Sequence, residues 1–274
     1  MNTLKNKVII VTGASSGIGE ALAFEAASRG AKIILAARNE QKLQVLSTEL
    51  KAKGAAVHYL KTDVSVEVDC KNLVAETLKT FGRIDVLINN AGVSMRALFN
   101  ETDLSVIKKL MDTNFWGTVY CTKYALPHLI EQHGSVSAVS SVAGLKGLPG
   151  RTGYSASKFA ILGFMEALRI ENLHTGLHVL MAFPGFTASN IRNTALAADG
   201  SQQGESPRDE AKMMTARDVA NYLLNAIEKR KRSLVLTRQG KLTVFLNKIA
   251  PSLVDKLVFN HMAKEPDSPF SSMK

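Results

Sequence analysis

Lys7-Val8-Ile9-Ile10-Val11-Thr12-Gly13-Ala14-Ser15-Ser16-Gly17-Ile18-Gly19 decides how the rest of the chain is read. Residues 7–12 are a short apolar run rich in β-branched side chains, the composition of a buried strand. The glycine spacing after it, GxxxGxG, lets the backbone turn sharply and come close to a ligand. A helix predicted over 17–29 opens there with unpaired N–H groups, which favour an anion. Strand, glycine turn and helix in that order suit a pyrophosphate, with Gly13, Ser15, Ser16, Gly17, Ile18 and Gly19 around it. A tight strand–helix connection without a ligand is the minor alternative.

The alternation continues outward from this turn. Strands are predicted over 31–37, 56–61, 84–89, 135–140, 177–183 and 234–237. Helices are predicted over 40–53, 67–80, 154–174 and 216–229, with one more from about 103 that breaks or ends near Pro127. Short apolar strands, each followed by a helix, call for a parallel sheet covered on both faces. Right-handed crossovers make this a doubly wound, Rossmann-type α/β fold of about seven mostly parallel strands. Residues 1–240 read as one Rossmann-type domain, with the aperiodic stretch 186–215 as a lid. Residues 241–274 read as a basic helical extension of the same domain.

The 274 residues are 46 % hydrophobic and 21 % charged, the balance of a soluble domain with a full core. Two cysteines, Cys70 and Cys121, suit a reducing compartment, and the first apolar run is too short for a signal peptide or a span. A cytoplasmic location follows. The net charge of +10 is uneven: from Lys229 onward ten Lys and Arg face three acids, leaving +3 over the first 228 residues. The tail lacks aromatic interleaving and nucleic-acid motifs, so nucleic acid is excluded as a partner. Leu242, Phe245, Leu246, Ile249, Leu253, Leu257, Val258 and Phe259 recur there at helical spacing. Lys241, Lys248 and Lys256 lie between them, and Pro251 is a break. Three readings stay open for this tail: peripheral contact with an anionic membrane, a lid over an apolar pocket, or a dimer contact.

Arg38 ends the second strand where a carboxylate would bind the ribose diol of NAD. A guanidinium there would attract a 2′-phosphate and favour NADP(H), unless it is a solvated helix-start cation. Asp63, before Val64, could accept from an adenine amino group or act as an N-cap. Tyr154 and Lys158 lie one helical turn apart on one face. An ammonium and a cationic nicotinamide would have to lower the phenol by about 3 units, roughly 4 kcal/mol, to make it a base near neutrality. Ser141 closes the fifth strand, at the end of a doubly wound sheet where ligands sit, while Ser140 beside it would point elsewhere. Asn114 falls inside a helix, against its propensity, and would bond to backbone or water. Asn90, Ala91 and Gly92 follow the fourth strand and can pack on the glycine turn. Met95, Leu98, Leu145, Leu148, Phe186, Ile191, Met213 and Met214 are candidates for an apolar substrate pocket. His128, His133, His174 and His178 have no metal spacing, and no metal is predicted.

With these residues quoted, the chain resembles the short-chain dehydrogenases/reductases over nearly its whole length. The glycine turn matches that family's cofactor turn, 89–92 its NNAG segment and Pro184-Gly185 its PG turn. Asn114, Ser141, Tyr154 and Lys158 match its catalytic tetrad. The resemblance implies Tyr154 as acid/base, Lys158 on the nicotinamide ribose, Ser141 polarising the carbonyl and Asn114 anchoring a relay water. Thr187 and Ser189 depart from the family's usual Val or Ile and Thr, and Ser189 can still reach the carboxamide. Residues 36–43 and 154–160 are similar to 3-ketosphinganine reductases and hydroxysteroid dehydrogenases. Residues 193–201, 229–232 and 250–251 are similar to the member 7B group of dehydrogenase/reductases, which act on alkyl- or acyl-dihydroxyacetone phosphate. These imply an NADPH-dependent reductase of a small apolar carbonyl substrate, assembled as a homodimer or homotetramer. An alcohol dehydrogenase running in reverse and a non-catalytic NADP scaffold remain alternatives.

Overall fold

The computed structural model describes residues 3–204, 209, 213–266 and 268–270. In chain order it forms β1 (Val8–Thr12), α1 (Gly17–Ser28), β2 (Lys32–Ala37), α2 (Glu40–Ala52), β3 (Val57–Lys61), α3 (Glu67–Phe81) and β4 (Val86–Asn89). Then come α4 (Leu104–Leu110), α5 (Gly117–Glu131), β5 (Ser135–Val139), α6 (Thr152–Glu171), β6 (His178–Phe183) and β7 (Thr187–Ala188). β8 (Met214–Thr215), α7 (Ala216–Glu228), β9 (Ser233–Val235), α8 (Arg238–Ile249) and α9 (Pro251–Met262) complete the chain.

Seven strands form one sheet in the order β3-β2-β1-β4-β5-β6-β9, and every neighbouring pair is parallel. Strand alternation divides the core. Ile9, Val11, Ile33 and Leu35 face Leu22, Leu43 and Leu223 from α1, α2 and α7. Ile10, Ile34, Leu87 and Val136 face Leu73, Leu129 and Ile161 from α3, α5 and α6. Burying each such side chain contributes about 1.5–3 kcal/mol. Chain direction across the sheet reverses between β1 and β4, which opens a crevice above the carboxyl ends of these strands. Cys70 on α3 and Cys121 on α5 are free, buried thiols with sulfurs 3.5 Å apart.

Pro127 does not break or end its helix: α5 runs through it to Glu131. The carbonyl that loses its donor belongs to Lys123, and both residues are solvent-exposed, so water can replace the missing bond. The interruption comes earlier, as a π-helical turn from Met111 to Trp116 between α4 and α5. The stretch 186–215 is pinned at its base by the β7–β8 pair. Its Leu196 bridges to Met95 and to Gln202; Pro207 lies outside the described residues. The tail forms two helices meeting at Pro251, the first residue of α9. An ion pair from Lys146 to Asp255, another from Arg96 to Glu265 at 3.6 Å, and a bond from Arg96 to the Pro266 carbonyl hold it to the body. Among the described residues no helix is long and apolar enough to cross a membrane.

Candidate active site

The glycine turn is held open by its neighbours. Thr12 Oγ1 accepts from the backbone N–H of both Asn90 and Ala91, and the Asn90 side chain donates to the Thr12 carbonyl at 2.9 Å. These bonds lash the end of β4 to the end of β1. Gly13 takes φ +66°, and a Cβ on it would lie 2.8 Å from the Ala91 backbone. A Cβ on Gly19 would lie 2.2 Å from the Gly13 carbonyl oxygen. Ser16 precedes α1 without capping it by its side chain, so the first amides of that helix face the cleft. A cradle that any Cβ would fill, at an uncapped helix start, fits a pyrophosphate. Gly19→Ala is therefore expected to weaken dinucleotide affinity by about 5–150-fold, the equivalent of the roughly 1–3 kcal/mol that overpacking costs. Fluorescence titration with NADPH would measure this loss.

The cleft around this turn encloses about 420 Å³ and runs from Gly13, Ser15, Ser16, Gly17 and Ile18 past Ala37, Arg38 and Lys42 to Asp63 and Val64. Asn90, Ala91, Gly92 and Ser189 complete it. Arg38 is exposed on its rim, while Asn39 caps α2 by accepting from the Lys42 amide. Asp63 is not a helix N-cap: its Oδ1 accepts from the Ser65 amide and hydroxyl, and Val66 precedes α3. A wider surface hollow of about 740 Å³ along α1 and α2 shares only Gly17 with the cleft and carries none of the reactive groups.

The π-turn explains Asn114. It brings the side chain to full burial, where its Oδ1 accepts from the Val93 amide and its Nδ2 donates to the Val93 carbonyl and to Ser157 Oγ at 2.9 Å. Ser157 Oγ in turn donates to the Tyr154 carbonyl. Asn114 thus ties the segment after Gly92 to α6. A second cavity of about 120 Å³ gathers Ser141, Tyr154, Lys158, Pro184, Gly185, Thr187 and Ser189, next to Gly92 and Ile18. Ser140 sends its hydroxyl away, to the Lys158 carbonyl. Ser141 caps a short 3₁₀ turn and faces the cavity.

Tyr154 and Lys158 come together with the ammonium 5.7 Å from the ring centroid, and Lys158 Nζ donates to the Val139 carbonyl at 2.9 Å. Burial pushes the Tyr154 phenol above its usual range, while the Ser141 hydroxyl and the Arg151 charge pull it partly back. The acidification expected of this phenol calls for a cationic nicotinamide beside it as well as the Lys158 ammonium; the protein by itself pushes the other way. Desolvation outweighs the neighbouring charges, and it also brings Lys158 down to about 8. Two buried arginines escaped the sequence analysis. Arg151 donates to Ser94 Oγ and the Met95 carbonyl, and Arg192 to the Thr187 carbonyl. Nothing local marks either one, because their partners are distant in sequence or lie in an aperiodic stretch. In the sequence Thr12 only leads into the glycine turn, and its clasp on Asn90 and Ala91 has no local signature.

Beside this cavity lies an apolar chamber of about 310 Å³ under α8 and α9, and it shares Ser141, Leu148, Gly185 and Phe186 with the reactive cleft. Leu242, Leu246, Val254 and Val258 line it from the tail. Of the expected pocket residues, Leu148 and Phe186 line the chamber and Ile191 the cleft. Met95 is buried in a core cluster with Leu110, Leu98 packs on Met262 and Phe270, and Leu145 packs against the sheet core. Met214 pairs with Thr187 in β8, and Met213 lines neither space. Thr237 joins sheet to tail: its Oγ1 caps α8, and a Cβ on Gly185 would lie 2.6 Å from that oxygen. Among the described residues no group of three His, Cys, Asp or Glu could hold a metal ion.

Residues 7–199 match the family model described as short chain dehydrogenase. The chain belongs to the short-chain dehydrogenase family. It is an oxidoreductase, and its sheet is the Rossmann-like sheet of that family. The chain is 39 % identical to an 11-beta-hydroxysteroid dehydrogenase-like 4A of Arabidopsis thaliana over 92 % of its length and 83 % of the relative's. It is 34 % identical to the mouse dehydrogenase/reductase SDR family member 7B over 97 % of its length and 84 % of the relative's. A family member from Burkholderia phymatum, solved in complex with NAD, superposes with a TM-score of 0.83 at 26 % identity, covering 92 % of this chain and 96 % of that one. An alcohol dehydrogenase from Thermococcus sibiricus shares the fold with a TM-score of 0.75 at 24 % identity, over 85 % of this chain and 96 % of its own.

Proposed function

We propose that this short-chain dehydrogenase reduces a ketone on an apolar, lipid-like substrate with NADPH. The observation that carries the reading is the apolar chamber opening directly onto Ser141. A 3-oxo lipid, an acyl- or alkyl-dihydroxyacetone phosphate and a ketosteroid are the substrate classes that fit it. Bound reduced nicotinamide would supply the hydride. Asn114, Ser141, Tyr154 and Lys158 are the catalytic set. The Ser141 hydroxyl donates to the ketone oxygen, which biases the carbonyl carbon toward hydride. Tyr154, kept protonated by burial, passes its proton to the same oxygen as negative charge develops on it. Lys158 would hold the ribose and offset charge at the phenol, and Asn114 ties the segment after Gly92 to α6 and would anchor the relay water. Gly13, Ser15, Ser16, Gly17, Ile18 and Gly19 would hold the cofactor's pyrophosphate, Arg38, Asp63 and Val64 its adenosine, and Pro184, Gly185, Thr187 and Ser189 its nicotinamide end.

Preference for NADPH rests on Arg38 and Lys42 at the adenosine end of the cleft, where β2 ends in Ala37 rather than a carboxylate. Arg38→Ala is expected to cost about 10–100-fold in kcat/KM with NADPH, the worth of a charge-assisted bond to phosphate, and to leave NADH kinetics nearly unchanged. Parallel kinetics with both cofactors on a ketone panel test the function as well as this preference. Equal loss with both cofactors would remove Arg38 from the 2′-phosphate. The reverse reaction, oxidation of a hydroxysteroid or other secondary alcohol, is the second reading, favoured by the hydroxysteroid dehydrogenase-like relatives. A homodimer or homotetramer is proposed through α5 and α6, where Trp116 stacks on Tyr120 just before and within α5, and Phe159, on α6, is exposed.

A further inference from the structure

The tail is amphipathic in two directions. Its inner side, through Leu246, Val254 and Val258, covers the chamber. Its outer side is a continuous apolar ridge: Leu242, Phe245 and Ile249 on α8, then Leu253 and Leu257 on α9, each more than half exposed. Leu242 and Leu257, 57 % and 51 % exposed, also line the chamber, so the chamber opens through the ridge itself. Exposed Lys241, Lys248 and Lys256 flank the ridge. The described acids on the tail are neutralised, Asp255 by Lys146 and the buried Glu265 by Arg96.

We propose that the α8–α9 ridge seats on an anionic lipid surface, from which an apolar substrate passes between Leu242 and Leu257 into the chamber. The argument is charge complementarity joined to continuity. A lysine-rimmed apolar strip sinks its side chains below the headgroups while its cations meet anionic lipid. A second copy of the chain is disfavoured, because two such rims would face each other with the same sign. The opening at Leu242 and Leu257 gives the contact a purpose that a mere stabilising patch would lack. Only this purpose depends on the ketone-reductase reading; the seating does not.

Flotation of the full chain with phosphatidylcholine vesicles, with and without phosphatidylserine, tests the seating. Binding to the anionic vesicles is expected, weakening with salt. Phe245→Ser/Ile249→Ser/Leu253→Ser, three residues outside the chamber lining, is expected to abolish it. Lys241→Gln/Lys248→Gln/Lys256→Gln is expected to weaken it on the order of 100-fold or more. Turnover of a water-soluble ketone without vesicles should match wild type in both variants. Its absence in wild type would count against the proposed function, not against the seating. Failure of wild type to float, or equal flotation by the ridge variant, overturns the seating. So does a ridge variant that loses its oligomeric state by light scattering, since a second copy would then be the occupant.

Discussion

Tyr154→Phe is expected to lower kcat for ketone reduction by about 10²–10⁴-fold, the range for loss of a positioned general acid, while NADPH binding persists. The phenol sits one turn before Lys158 in a cavity it shares with Ser141, and the substitution removes a single oxygen from a 9 %-exposed ring. Folding should therefore be preserved, and thermal melts would show it. Burial holds the phenol protonated through the neutral range, which is the form that reduction consumes. The oxidative direction consumes the phenolate, so its rate should climb with pH while the reductive rate does not. A variant that keeps its rate on a good ketone would refute the mechanism.

Lys158→Met should move activity and stability in opposite directions. Loss of the ammonium would remove the proposed ribose contact and the charge beside the phenol, with an expected fall in kcat/KM of about 10²–10³-fold. Stability should rise. Burial lowers this amine from 10.5 to about 8, so the unfolded chain holds its proton more tightly than the folded one. The charged form is penalised in full below pH 8, by roughly 3 kcal/mol. The penalty fades as pH climbs from 8 toward 10.5, where both states are neutral. Methionine escapes it but leaves the Val139 carbonyl unpaired, at about 1–3 kcal/mol. A gain of a few degrees in the melting temperature of the cofactor-free protein at pH 7, shrinking above pH 8, is the expected net. In wild type the same ionisation should weaken NADPH binding above about pH 8. A melting temperature lower at pH 7 than in wild type would mean that the ammonium is held by partners strong enough to offset its burial.

The sheet was legible because its signals are local. β1, the glycine turn and the start of α1 follow from short apolar runs and glycine spacing, and the parallel order follows from alternation. The meeting of Ser141, Tyr154 and Lys158 was legible too, since a four-residue helical spacing and the end of β5 place them without tertiary detail. Three things were not. Pro127 looked like a helix break, because sequence does not show that the orphaned carbonyl faces water. The π-turn around Asn114 has no pattern of its own; a mid-helix Asn was its only trace. The upward push of burial on the Tyr154 phenol was not legible either, because desolvation depends on how residues such as Phe186, Thr187 and Ile191 close the cavity. That tail kept three readings at the sequence level because one apolar period cannot say which side of a helix meets the body.

Thr237 stands at φ +68° and ψ +141°, a conformation that costs a β-branched residue about 1–3 kcal/mol. It joins the last strand to the two helices that roof the chamber, while Ser141, Tyr154 and Lys158 all lie earlier in the chain. Substrate range and chemistry are therefore separable at one joint. Grafting a relative's terminal segment after this threonine should alter which ketones are accepted and leave the hydride machinery untouched.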